Sequence, residues 1–271
     1  MSFEKKPFEN AGLKIEGDRV LTYSKLSCPL DCTYCFVDDM NFNQERGVAY
    51  LSQEQYDLLN RLPKEVKTIM LGCDTEFFQQ KEEAIQILEN LAEQGRDLSV
   101  VTKLPLSKEY IQRMRDVSDE VSKNGNVFTF SVSLPCINSS LVWEPKVPSP
   151  EKRINTLKEV YESDIKTLLA LRPLLPTVSD EELEDIIFQT KDYQYGYYSG
   201  PLYLKSLDHP SIQNVPDLMI EEVQPHWMPE GNIFFKVERK GQMETLAEIV
   251  ESHGQRLYTG AADAINHLRR P

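Results

Sequence analysis

The sequence predicts an α/β protein: a partial (β/α)6 barrel over residues 1–200, with a C-terminal α/β extension over 201–271 packed on it. Two observations carry this. Strand-like and helix-like segments alternate six times, the signature of a parallel sheet with outer helices. The strand segments are largely apolar and rich in β-branched and aromatic residues, as strands covered on both faces must be.

The strand segments are DRVLTYSK (18–25), EVKTIMLG (65–72), DLSVVTK (97–103), NVFTFSVS (126–133), DIKTLLALR (164–172) and QYGYYSG (194–200). Helical patterns lie between them. The first opens at Ser52, a good N-cap, with Gln53 and Glu54 in its first turn. The second ends at Gly95, a residue suited to a helix C-terminus. The third follows Pro105 and caps at Ser107, and the fourth begins Ser149-Pro150, a preferred cap and first-turn pairing. The fifth is capped by Ser179, and Glu182 three residues on reads as a capping box. Beyond Gly200 the pattern loosens into a stretch rich in Pro and Asp as far as Gly231. A strand (NIFFKVER) and helices near 242–252 and 261–269 follow. In such folds catalytic groups sit at the C-terminal ends of strands.

Composition narrows the function. The chain has 271 residues, 40% of them apolar, which is enough for a sizeable core and too apolar for disorder. With 30 basic and 43 acidic residues the net charge is -13, which argues against broad nucleic-acid binding. No run approaches a membrane span, and the two lysines near the N-terminus precede no apolar run. Three of five cysteines fall within eight residues, unlike a disulfide framework, so a reducing cytoplasm is expected.

The sharp feature is Cys28-Pro-Leu-Asp-Cys32-Thr-Tyr-Cys35, directly after the first strand segment. Three thiolates on one short loop suit one metal ion or three irons of a cubane cluster. A structural zinc site usually wants four ligands, yet no histidine precedes His209, and Cys73 and Cys136 stand alone. The spacing CxxxCxxC, with aromatic Tyr34 before the third cysteine, resembles the radical S-adenosylmethionine superfamily. That resemblance implies a [4Fe-4S] cluster on Cys28, Cys32 and Cys35. The fourth iron is then left open for S-adenosyl-L-methionine, whose reductive cleavage yields a 5'-deoxyadenosyl radical. It also implies a reducing partner such as flavodoxin or ferredoxin.

Further resemblances assign cofactor roles. Gly72-Cys73-Asp74-Thr75-Glu76 ends the second strand segment where family members carry a Gly-rich motif ending in Glu. This makes Glu76 the candidate partner of the cofactor's amino group, with Tyr34, Asp74 and Thr75 beside it. A helix cap is the other reading of Glu76. Lys103, Ser131, Ser133 and Arg172 end later strand segments, where ribose or carboxylate contacts are expected. Period-two spacing puts Ser131 and Ser133 on one face. A buried Arg172 would need an anion, either a cofactor carboxylate or Glu144.

From the fourth strand segment onward the chain is similar to the subgroup that includes spore photoproduct lyase. The likeness rests on Glu144-Pro145, a helix with Arg153, and LRPLLPTVSDEELEDII. The expected substrate is small and nucleoside-like. Asp38, Asp39 and Glu144 are candidate partners for a cationic, hydroxyl-rich ligand, with Tyr198 closing the sixth strand and His226-Trp227 available to stack a base. Cys73, Asp39 and Glu144 are the candidate catalytic groups. Cys73 and Cys136 are alternatively small buried hydrophobes. In outline the chain is also similar to queuine lyases, which implies release of queuine from queuosine. Peptide or protein modification and nucleic-acid lesion chemistry are the alternatives.

Overall fold

The strand segments fold as their composition demands. In the computed structural model, which describes residues 4–39, 48–225, 228 and 230–269, one eight-stranded sheet organises the chain. Its strands are β1 (Leu13–Glu16), β2 (Arg19–Thr22), β3 (Thr68–Leu71), β4 (Asp97–Thr102), β5 (Phe128–Ser133), β6 (Lys166–Leu171), β7 (Tyr197–Ser199) and, late in the chain, β11 (Leu257–Tyr258). They lie in that order, parallel from β2 to β11. The sheet is open: β1 and β11 are its edges. All six expected strand segments are therefore neighbours in chain order, in a partial barrel.

Register fixes where chemistry can occur. Leu71 pairs Val100, Thr102 pairs Val132, Ser133 pairs Ala170, and Leu171 pairs Ser199. The strands thus finish level, and Lys103, Ser133, Arg172 and Gly200 emerge along one rim. Every residue of β5 is buried, as in a sheet covered on both faces.

The outer helices are α2 (Gln53–Leu59), α3 (Lys81–Ala92), α4 (Lys108–Lys123), α6 (Pro150–Glu162) and α7 (Asp180–Thr190). In α4, Ile111, Met114, Val117 and Val121 are buried, three or four residues apart, so one stripe faces the sheet. Ser52 caps α2 in a capping box closed by Gln55. At α7 the expected box is only half made. Ser179 accepts from Glu182 N, but the Glu182 carboxylate turns away to accept from Ile137 N (2.7 Å) and Asn138 N (2.9 Å). It thereby holds the loop leaving β5. Ser107 and Ser149 occupy cap positions without a side-chain cap bond.

Two features escape the sequence pattern. A short helix, α1 (Lys6–Asn10), and β1 precede the first expected strand, and β1 and β2 form an antiparallel hairpin around Gly17, whose φ is +61°. The stretch 201–231, expected to be irregular, contributes β8 (Leu202–Leu204) and β9 (Leu218–Val223). These flank β10 (Phe234–Arg239) in a second, antiparallel sheet. β9 is mostly exposed, so its residues carry no burial signal; pairing with β10 makes it a strand. Helix α8 (Gln242–Ser252) then leads to β11, which extends the barrel sheet beside β7. After α9 (Ala261–Leu268), Arg269 donates to buried Asp97 (2.6 Å) and to Thr68 (3.1 Å), tying the end of the chain to the starts of β3 and β4.

Candidate functional site

The cysteine loop leaves β2 through a turn held from the next strand. Asp74, just past β3, accepts from Lys25 N (2.8 Å) and from Ser24 Oγ (3.2 and 3.3 Å). Lys25 takes φ +61° and Asp31 φ +49°. Cys28 and Cys32 are half-buried, Cys35 is exposed, and none of the three forms a disulfide. Cys35 N donates to Cys32 O (3.0 Å), closing a turn that brings the last two together. Burial pushes the Cys32 thiol up to about 12, with the Lys103 ammonium acting the other way. A thiol in such surroundings ionises when a metal takes the proton's place.

Among the described residues, no three His, Cys, Asp or Glu side chains converge on a single ion. A cubane asks for something else, one thiolate per iron. Three cysteines on one loop are the ligand type for three irons of such a cluster, one short of its four.

Against this loop, at the same end of the strands, stands a charged network. The short helix α5 (Ser140–Trp143) ends with Trp143 O accepting from both Thr33 N (2.9 Å) and Thr33 Oγ1 (3.2 Å). Next in sequence, Glu144 is 1% exposed. It accepts from Tyr34 OH (2.5 Å), and pairs with Lys103 Nζ at 3.2 Å and with the Arg153 guanidinium at 2.7 Å. Burial raises the Glu144 carboxyl, but Lys103 and Arg153 outweigh it and hold the group below its ordinary value. Lys103 Nζ also donates to Ser133 Oγ (2.5 Å) and lies 5.7 Å from the Tyr34 ring centre. Arg153, 1% exposed on α6, donates to Ser133 O (2.9 Å). Two cations share one carboxylate, so the network carries net positive charge beside the thiols.

This arrangement corrects two expectations. Glu144 is closed in by its partners and does not present an open acidic face. Its guanidinium partner is Arg153; Arg172 is exposed at the end of β6, packed over Gly200, and makes no ion pair among the described residues. The helix position of Arg153, on the face that α6 turns to the sheet, was the signal that singles it out.

Glu76 fills the capping role that was the other reading of its position. It caps the 3-10 turn Phe77–Gln80 by accepting from Phe78 N (3.0 Å). It also accepts from Thr102 Oγ1 (2.5 Å) and Lys103 N (2.9 Å), which joins β3 to β4 at the rim. Burial raises its carboxyl, and raises that of Asp74. Thr75 accepts from Gln79 (2.8 Å). Cys73 Sγ donates to Met70 O (3.3 Å), and burial pushes its thiol up to about 12. Cys136 is wholly buried and likewise raised to about 12 by burial. Gly72 is required at its place: φ is +83°, and a Cβ would lie 2.9 Å from Val101 O.

Inside the barrel, Thr129, Ser131 and Ser133 share one face of β5. The hydroxyls of Thr129 and Ser131 are buried, and among the described residues that of Thr129 lacks a hydrogen-bond partner. Such orphans are uncommon and point to a missing polar partner. Ser131 faces Tyr198 on β7, whose phenol is raised by burial and lowered by Ser131 and the Arg172 cation.

Asp39 ends a 3-10 turn (Val37–Asp39) after the cysteines. With Cys35, Phe36, Tyr203, Asp208, His209 and Phe234 it lines a cavity of about 340 Å³ between the cysteine loop and the extension. His209 stacks on Trp143 at 4.6 Å. The side chain of Asp38, and His226 and Trp227, lie outside the described residues.

An open parallel barrel, with a three-thiol loop at its first strand end and a cationic, hydroxyl-lined rim, is a scaffold whose residue types suit an iron–sulfur cluster beside an organic ligand. The chain belongs to the radical SAM superfamily, whose family model matches residues 26–189. That family uses a [4Fe-4S] cluster and S-adenosylmethionine. An uncharacterized protein of Methanocaldococcus jannaschii is 27% identical over 225 residues, covering 79% of this chain and 82% of that protein. The fold is similar to spore photoproduct lyase complexed with dinucleoside spore photoproduct, with TM-score 0.59 and 14% identity over 86% of this chain and 73% of that one. A spore photoproduct lyase variant with bound AdoMet gives 0.60 and 11%, with the same coverage. SuiB of Streptococcus suis gives 0.54 and 16%, over 88% of this chain and 47% of its own. No helix among the described residues is long and apolar enough to cross a membrane.

Proposed function

We propose that Cys28, Cys32 and Cys35 hold the cluster and that the rim residues Glu76, Lys103, Ser131, Ser133 and Arg172 hold S-adenosylmethionine. The cofactors, when bound, supply a 5'-deoxyadenosyl radical that removes hydrogen from a substrate. The protein's own residues bind and orient. The network centred on Glu144 fixes Tyr34, and through it the loop, while the net positive charge of Lys103 and Arg153 favours a carboxylate. The buried hydroxyls of Thr129 and Ser131 offer hydrogen bonds inside the barrel.

The substrate reading is a small nucleoside-like molecule, acted on by a lyase. One observation carries it: the cavity that includes Cys35 joins aromatic walls (Phe36, Tyr203, Phe234) to the carboxylates of Asp39 and Asp208. Aromatic faces suit a base and acids suit an amine or diol. The net charge of -13 disfavours a polyanionic substrate. Queuosine, with its base, secondary amine and diol, is the named candidate, and queuine its product. Spore photoproduct lyase, which shares the fold, is itself a lyase that binds a dinucleoside photoproduct.

The test is mass spectrometry of anaerobically reconstituted, reduced protein with S-adenosylmethionine, with and without queuosine. Joint appearance of 5'-deoxyadenosine and queuine only with queuosine supports the reading. Equal, slow 5'-deoxyadenosine in both samples overturns the substrate and keeps the scaffold.

A further inference from the structure

One wall of the cavity beside Cys35 is an imidazole. His209 lines that cavity from the connection between β8 and β9. Its ring lies on the buried indole of Trp143, with centres 4.6 Å apart and planes 7° from parallel. The indole is itself fixed, because Trp143 Nε1 donates to Thr177 Oγ1 (2.9 Å) and Trp143 O holds Thr33 of the cysteine loop. The imidazole is thereby held in one plane.

A second contact sets which ring nitrogen carries the proton. Nδ1 accepts from Ser211 N (3.3 Å), capping the 3-10 turn Pro210–Ile212. A nitrogen that accepts holds no hydrogen, so the neutral ring carries its proton on Nε2. Burial lowers the pKa of the ring, which favours that neutral form. Nε2–H meets no hydrogen-bond partner among the described residues. The polar side chains beside it are a committed cation and an acid. Lys205 Nζ donates to Asn232 Oδ1 (3.3 Å) and to Ile233 O (3.1 Å). Asp208 accepts from Ser206 Oγ (3.2 Å) through Oδ2, and its Oδ1 has no partner among the described residues. The wall therefore offers a neutral N–H donor next in sequence to a carboxylate acceptor.

We propose that His209 is a specificity-determining residue of this cavity. Nε2–H donates to an acceptor on the substrate's base, a ring carbonyl or ring nitrogen, and Asp208 accepts from the adjoining N–H. The ligand class is a heterocycle whose edge sets an acceptor beside an N–H donor. Queuosine has such an edge in its ring carbonyl and the N–H next to it. No proton is transferred, and the ring stays neutral throughout. The proposal rests on the nucleoside reading of the cavity and names the edge by which the base is held.

The experiment titrates queuosine into the anaerobically reconstituted protein by calorimetry. S-adenosylmethionine is present and reductant is absent, so nothing is turned over. Wild type is compared with His209→Phe, His209→Asn and His209→Gln. The Phe variant keeps a ring on Trp143, and the Asn variant keeps a cap for Ser211 N. Neither places a donor where Nε2–H stands. Both should bind queuosine about tenfold more weakly, with the visible absorbance of the cluster unchanged. The Gln variant restores a donor on a longer side chain and should recover part of the loss. Wild-type affinity in either the Phe or the Asn variant overturns the proposal. Equal loss in all three also overturns it, since shape and not the donor would then be at work. Failure of the nucleoside reading is distinguishable: wild type itself would give no binding heat with queuosine, which removes that reading and this proposal together.

Discussion

Glu144→Ala should be among the most damaging substitutions in the molecule. The carboxylate is buried and paired to Arg153, itself buried, and to Lys103, which is largely so. Removing it leaves the Arg153 guanidinium in the core with no counter-ion. Breaking a buried pair from one side costs about 3–5 kcal/mol. In a domain of this size each kcal/mol moves the melting midpoint by about 2–4 °C, so a fall of about 6–20 °C is expected. Differential scanning calorimetry of the metal-free protein measures it without involving the cofactors. Glu144→Gln keeps the shape and one acceptor and should fall between the two. Combining Glu144→Gln with Arg153→Met should recover part of the loss, because the stranded charge is gone. A midpoint within about 2 °C of wild type for Glu144→Ala would mean that water reaches the network, and the account of a closed electrostatic clamp would be wrong.

The same carboxylate sets a pH dependence. Its folded pKa lies below the ordinary 4.5, so its stabilisation is complete above that value and disappears as pH falls through the lower folded pKa. The stability gap between wild type and Glu144→Gln should therefore shrink below pH 4.5; a gap that widens on acidification would contradict the pairing. Glu76 is raised by burial, so its ionisation opposes folding as pH climbs through its folded pKa, and Glu76→Gln should flatten that part of the profile measured by chemical denaturation. Gly72→Ala should cost about 1–3 kcal/mol, read from the urea midpoint, because it combines a left-handed backbone with a Cβ against Val101 O; an unchanged midpoint would show that the β3 exit relaxes freely. Arg172→Ala should leave the melting midpoint within about 2 °C, since the side chain is exposed, yet weaken S-adenosylmethionine binding by calorimetric titration. Unaltered binding would remove Arg172 from the cofactor site.

The barrel was legible because buried parallel strands write their environment into composition: six apolar, β-branched runs are six adjacent strands. Family membership was legible in the cysteine spacing, because that signature needs residue type and spacing alone. What sequence could not show was pairing between distant rim groups. Arg153 stands out in its helix, but its pairing with Glu144 is visible only once α6 is laid on β5, and Arg172 reads as buried until Gly200 is seen to leave room for it at the surface. Glu182 satisfies the local rule for a capping box, but two amides beyond β5 compete for its carboxylate and win. The β1–β2 hairpin carried a signal, Gly17-Asp18 between alternating segments, whereas exposed β9 carried none.

The central claim is that the 28–35 loop carries the cluster that activates S-adenosylmethionine. Its most direct test compares wild type with Cys32→Ala, both anaerobically reconstituted, reduced with dithionite and supplied with S-adenosylmethionine, and measures 5'-deoxyadenosine by mass spectrometry alongside bound iron. The account predicts iron and 5'-deoxyadenosine in the wild type and neither in the variant. Equal 5'-deoxyadenosine from both, or none from an iron-loaded wild type, would contradict it.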